Sequence, residues 1–198
     1  MNIDNTPSPK PANKNTDPYW EFEPYNHFRP KINQEDYTKL TEFNFGWLIL
    51  KPITEYIHFT KHEIDKGKHL SYAQKALYYW WYLDGQVLNG GFGQFYFNGY
   101  GKYVPTIIKG LKYIGDDIMV SIIEDAEKFY QKHKKFVEST PGKIMFADEE
   151  DVHLDKLRDL TIEYFGFYRK TMQKIETYFR AHPNEVCLNE NGNEIQTN

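Results

Sequence analysis

The chain of 198 residues contains a single cysteine, Cys187, so no internal disulfide can form and packing alone must hold the fold. No stretch approaches about 18 apolar residues, which leaves nothing long enough to span a bilayer as a helix. A positively charged start followed by an apolar run, the pattern of a secretory signal, is also missing, and the expected compartment is the cytoplasm. Basic residues are not in excess: 24 Lys and Arg against 28 Asp and Glu give a formal net charge of -4, with a pI near 6.0. Neutralising a phosphate backbone needs surplus Lys or Arg, so direct binding of nucleic acid is not expected. Repeats are absent, as is any apolar and polar alternation long enough to demand a sheet.

Aromatic residues are plentiful, at 17% of the chain within a hydrophobic content of 40%. That is enough for one sizeable core, and the length argues against two full domains. The expected fold is all-α: a compact single-domain multi-helix bundle with flexible or docked termini. Its divisions are an N-terminal tail or arm over 1–30, a helical domain over 31–186 and a C-terminal tail over 187–198.

Residues 1–17 are too polar to offset their ordering entropy by burial and read as a tail. Tyr19, Trp20, Phe22, Tyr25 and Phe28 then suggest an extended arm docking on the domain surface, or a peptide for another protein. Asn33 before Gln34, Glu35 and Asp36 looks like an N-cap with acids in the first turn, opening a helix to about Phe45. Gly46 is expected to break it and Pro52 to open the next, which carries Ile53, Tyr56, Ile57 and Ile64. Ser71 and Gln74 match a capping box. Pro105 opens a short helix that Gly115 closes. Ile118, Met119, Ile122, Ile123, Ala126, Phe129 and Tyr130 give the next its apolar stripe. A last long helical region, which Gly166 is expected to bend or divide, ends at Pro183, and the remainder reads as a polar tail or small turn.

The chain is organised around Tyr78–Gly101, which holds two of the four tryptophans and six of the thirteen glycines. Ala73, Ala76, Leu77, Trp80, Leu83 and Val87 line one helical face. Asn89-Gly90-Gly91 is expected to end the helix with a sharp reversal into an aromatic segment, Phe92 to Phe97, which Asn98-Gly99 stops in turn. Gln86, Asn89, Gly90, Gly91 and Phe92 form the structural motif of this corner.

The order of an aromatic helix, Asn89-Gly90-Gly91-Phe92, an aromatic segment with Asn98-Gly99, and a Pro-started helix ending in Ile114-Gly115 resembles the C-terminal domain of the bacterial DNA-mimic protein family. The resemblance covers roughly 71–186, taking in Leu154-Asp155 and the Tyr178-Phe179-Arg180-Ala181-His182-Pro183 ending. It implies a non-catalytic, dimeric protein whose carboxylates occupy the basic surface of a DNA-binding protein, such as a transcription regulator. The family usually carries Glu where this chain has Gln86, and Ala where it has Asp116. The first departure removes a carboxylate that a catalytic reading would need.

Other constellations have plainer readings. His58 and His62 stand at a spacing zinc can use on one helix face, but Lys61 replaces the acid of an H-x-x-E-H site, and solvated histidines fit better. No metal or cofactor is expected. Gly90-Gly91-Phe92-Gly93 lacks the Gly-Lys-Ser/Thr of a phosphate loop and shapes a turn instead. Cys187 near His182 is weak ground for a nucleophile and its base, and the tyrosines, sixteen in all, suit core and interface positions. An enzyme would need a pocket at Gln86 and Asn89, with Asp84 the nearest carboxylate.

Two acidic groups say more. Asp151, Asp155, Asp159 and Glu163 recur every four residues, which on one helix spaces carboxylates about 6 Å apart. Asp116, Asp117, Glu124 and Asp125 form the second group. Both suit solvated helix faces, with Asp116 and Asp117 serving a helix N-terminus, or else a surface imitating a phosphate backbone. Duplex DNA carries one charge per about 1.7 Å of axis, so one stripe is several-fold too sparse without neighbouring rows. Lys156, Arg158 and a basic patch over Lys128, Lys132, Lys134, Lys135 and Lys143 also make the surface mixed. The expectation is a protein-interaction domain, a DNA mimic contacting a DNA-binding or other basic protein through these eight carboxylates, with abundant Tyr and Phe to suit a homodimer. The alternative is a cytoplasmic adaptor or toxin-neutralising, immunity-type protein.

Overall fold

The structure, a computed structural model, describes residues 17–139 and 152–196. Six α-helices appear among them: α1 (Gln34–Lys39), α2 (Glu42–Ile57), α3 (Tyr72–Phe97), α4 (Val104–Tyr113), α5 (Asp117–Ser139) and α6 (Val152–Ala181). Two short strands, β1 (Lys31–Ile32) and β2 (Leu188–Asn189), pair in parallel. The all-α expectation holds, with this small ladder as an addition.

Local chemistry starts three of the helices. The Asn33 side chain accepts from the Asp36 N–H to cap α1. At α3, Ser71 Oγ accepts from the Gln74 N–H while Gln74 Oε1 accepts from the Ser71 N–H, a reciprocal capping box. Pro105 sits in the first turn of α4, where its missing N–H leaves no bond unmade. Gly99 and Gly115 take left-handed φ values of 78° after α3 and α4, as their positions at helix ends require.

Long-range packing overrides local signals elsewhere. The break before α2 falls at Leu40 and Thr41, not at Gly46, and Pro52 lies inside the helix rather than at its start. Gly46 admits neighbours: a Cβ there would lie 3.0 Å from Met172 of α6 and from Trp81 of α3. Arg180 replaces the lost helix bonds at the real break, donating to the carbonyls of Tyr37 at 2.7 Å and Leu40 at 2.6 Å. α3 kinks at Gly90 and Gly91, where the end was expected, and helix resumes to Phe97. Gly166 does not divide α6. Ile118 was expected in the α5 stripe but is 49% exposed, and Val120 faces the core in its place.

α3 is the hub, packing against α2, α4, α5 and α6. It packs tightly on α4, where a Cβ on Gly110 would lie 2.7 Å from Ala76 Cα. Trp80, Tyr78, Tyr79, Phe92 and Phe95 of α3 are all buried in one core with Phe45, Tyr164 and Phe179. The arm docks as expected: Phe28 stacks on Tyr56 with ring centroids 3.9 Å apart, and Trp20 on Tyr72 at 4.7 Å, while Tyr25 stays in solvent. The segment after Val186 is more firmly held than a polar tail. Cys187 and Ile195 are buried, and Glu194 pairs with Arg29 at 2.6 Å.

Candidate functional site

Asp117, Glu124 and Asp125 lie on α5 and Asp159 and Glu163 on α6, and the two helices pack together. At one end of the pair, Asp116 meets Thr171. Towards the other, Tyr130 of α5 stacks on Tyr96 of α3 and Thr161 of α6 receives the Phe92 N–H of α3, so α5 and α6 run antiparallel. Glu124 and Glu163 each lie about 12 Å along their helices from the Asp116–Thr171 contact, at a helical rise of about 1.5 Å per residue. They stand at one level of the pair.

Asp116 does not join them. It is only 3% exposed; its carboxylate accepts from Thr171 Oγ1 at 2.7 Å and pairs with Lys174 at 3.4 Å. The Gly115 turn points it inward, so it fastens α5 to α6 instead of facing a partner. Asp117, Glu124, Asp125, Asp159 and Glu163 are exposed as expected. Asp151 and the Asp155 side chain lie outside the described residues. Glu124 is paired with Lys112 at 2.8 Å, and Lys128, Lys156 and Arg158 are exposed on the same two helices. Ile162, 60% exposed, and Phe165 are exposed apolar residues of α6, and Ile118 follows Asp117 on α5. Charge and apolar surface are mixed.

The Asn89-Gly90-Gly91-Phe92 corner is a structural joint. Gly91 has φ of 71°, and a Cβ there would lie 2.9 Å from Thr161 Oγ1, the same oxygen that accepts the Phe92 N–H at 3.2 Å. Gln86 Oε1 accepts from Gln94 at 3.1 Å and Asn98 at 2.7 Å, bracing the two sides of the kink, while Asn89 is exposed. The Gln86 amide is thus engaged internally. Asp84 is buried against α6 and accepts from Tyr164.

The two histidines do not share a helix face. His58 is the left-handed cap of α2, with φ of 59°, and His62 ends a 3-10 turn, Phe59–His62. Among the described residues no group of three His, Cys, Asp or Glu side chains could hold a metal ion. Cys187 is buried, which pushes its thiol up to about 12 and keeps it protonated. No helix among the described residues is long and apolar enough to cross a membrane.

Sequence reasoning missed two buried charges. Glu63 accepts from Tyr78 at 3.2 Å and from Tyr103, and burial raises its carboxyl above the usual range. It lines a cleft of about 290 Å³ with Tyr19, Lys61, His62 and Lys102. Lys75 is fully buried; its ammonium donates to the carbonyls of Gly67 at 2.6 Å and Tyr19 at 2.9 Å, and burial pulls it down to about 7. A lysine flanking an apolar helical stripe reads as surface. Only its neighbours at helical spacing, Tyr72 and Tyr79, hinted at a second covered face.

A family model described as DMP19-like protein matches residues 68–182, close to the span over which the sequence motifs run. Neither among curated proteins nor among solved structures does the chain find a match.

Proposed function

We propose, from the premise that the chain belongs to the DMP19-like protein family, that it is a DNA mimic: a non-catalytic protein that occupies the basic surface of a DNA-binding protein and excludes DNA. The observation that supports this reading is that Asp117, Glu124 and Asp125 of α5 and Asp159 and Glu163 of α6, two packed antiparallel helices, are all exposed. Carboxylates on both helices add to what one stripe at about 6 Å spacing offers against a duplex with one charge per about 1.7 Å. Exposed Lys128, Lys156 and Arg158 on the same helices keep the charge density well below that of DNA. Contact then rests on a few exposed carboxylates with Ile162 as an apolar anchor, in the manner of a protein interface with a polar rim.

The same apolar exposure favours a second reading, an adaptor or immunity-type protein whose partner is not a DNA-binding protein. Salt dependence and target identity separate the two. The test is affinity capture from native lysate at low salt with gradient elution. Wild-type protein is run beside a variant carrying Asp117→Lys, Asp125→Lys, Asp159→Lys and Glu163→Lys. Mimicry predicts that the wild type alone retains a DNA-binding protein, released as salt rises. Equal retention by both baits, with the variant folded, would remove this face as the contact.

A further inference from the structure

The seam between α3 and α4 carries a groove whose residues take no part in the acidic face. Tyr72, Lys75 and Tyr79 project from α3 at helical spacing; Tyr103, Thr106 and Lys109 face them from the start of α4. The chain's own Asp17–Trp20 lies in it. Asp17 accepts from Thr106 Oγ1 at 2.7 Å and pairs with Lys109 at 3.1 Å. The Tyr19 carbonyl accepts from buried Lys75 at 2.9 Å, and its ring meets Tyr103 and Tyr79 edge-on at 5.1 and 5.8 Å. Trp20 stacks on Tyr72 at 4.7 Å. Carboxylate, backbone carbonyl and two successive rings are each read by a different group.

We propose that this groove is a recognition site for short acidic-aromatic segments of the form Asp-Pro-aromatic-aromatic, occupied in cis by Asp17–Trp20, which a partner protein bearing such a segment displaces. The segment brings its own shape: Asp17 Oδ1 accepts the Tyr19 N–H at 3.1 Å and the Asp17 carbonyl accepts the Trp20 N–H at 3.0 Å. A ligand that carries its own turn binds with less ordering cost. The groove holds two polar groups that a surface patch would not keep. Lys75 has one acceptor from the body, the Gly67 carbonyl, and takes its other from the seated segment. The Tyr79 hydroxyl, wholly buried beside Gly67, has no hydrogen-bond partner among the described residues. All six groove residues fall within 68–182, the span matched to the family, and the seated segment falls outside it.

A tethered segment competes at an effective concentration of about millimolar order, so the wild type binds a free peptide weakly. The test uses a fluorescent peptide covering residues 15–23 and the full chain, wild type or carrying Asp17→Asn and Trp20→Ala, with folding checked by circular dichroism. The weakened variant is expected to bind the peptide at least tenfold more tightly than wild type. Adding Lys109→Ala should reverse that gain, and a peptide with Asn in place of Asp should not bind. Absence of binding to the weakened variant, or binding indifferent to Lys109→Ala, overturns the proposal. Should the weakened variant fail to fold, the Trp20 indole signal of the wild type is followed by NMR at millimolar peptide. Displacement of that signal supports the groove, and an unmoved signal overturns it. Self-association of the wild type that Asp17→Asn abolishes, with no peptide bound, would assign the groove to a second copy and overturn the partner.

Discussion

The hydroxyl of Tyr164 donates a 2.8 Å hydrogen bond to the carboxylate of Asp84, tying α6 to α3 at a point closed to water. Burial raises the Asp84 carboxyl from 3.8 to about 6, against the opposing pull of the Tyr164 bond. With the folded value above the unfolded one, the native state holds the extra proton between these pH values, so this group's contribution is full below about 4 and is lost as pH rises through about 6. Asp84→Asn keeps an oxygen for Tyr164 and cannot ionise. Relative to wild type it is expected to gain stability between pH 4 and pH 7, by up to about 3 kcal/mol for a displacement of this size. Urea unfolding of both proteins at the two pH values reads the difference; parallel profiles would mean that the carboxylate does not feel its burial.

Two glycines of the core helices should respond to alanine with opposite signs. At Gly110 the new methyl would press on the Ala76 backbone at 2.7 Å, forcing α4 away from α3 at a cost of about 1–3 kcal/mol. Gly85 lies exposed within α3 with nothing within 4 Å of an added Cβ, so Gly85→Ala is expected to stabilise by about 0.5–1 kcal/mol through helix propensity. Melting curves of the two variants decide it, and a drop for Gly85→Ala would show that its backbone departs from ordinary helix.

Asp116 and Asp125 belong to one acidic group in the sequence but should separate by experiment. Asp116→Ala strips the buried Thr171 hydroxyl of its acceptor and is expected to cost about 1–3 kcal/mol. Asp125→Ala, on an exposed face, should stay within about 0.5 kcal/mol of wild type. Denaturant midpoints measure both, and equal midpoints would contradict the inward placement of Asp116.

What could be read from the sequence was what neighbours in sequence decide. Asn33, Ser71 with Gln74, Pro105, Gly99 and Gly115 each act on backbone groups a few residues away, and each sits where its chemistry predicted. Gly46 misled because its reason lies in Met172 and Trp81, which no local pattern reveals. Regular spacing correctly placed Asp159 and Glu163 in solvent, yet the direction of Asp116 depends on Thr171, 55 residues later. The aromatic arm was legible as something that docks. Its seat was not, since Lys75 and Glu63 carry side chains that composition assigns to the surface and only tertiary hydrogen bonds retain inside.

The parallel pairing of Lys31–Ile32 with Leu188–Asn189 has a mechanical consequence. Tension applied at residues before β1 and after β2 pulls two parallel strands in opposite directions along their length, so the backbone bonds and the Arg29–Glu194 pair are loaded together in shear instead of opening one at a time. A load entering at the N-terminal end meets the docked Asp17–Trp20 arm first and this clasp only after the arm has come away.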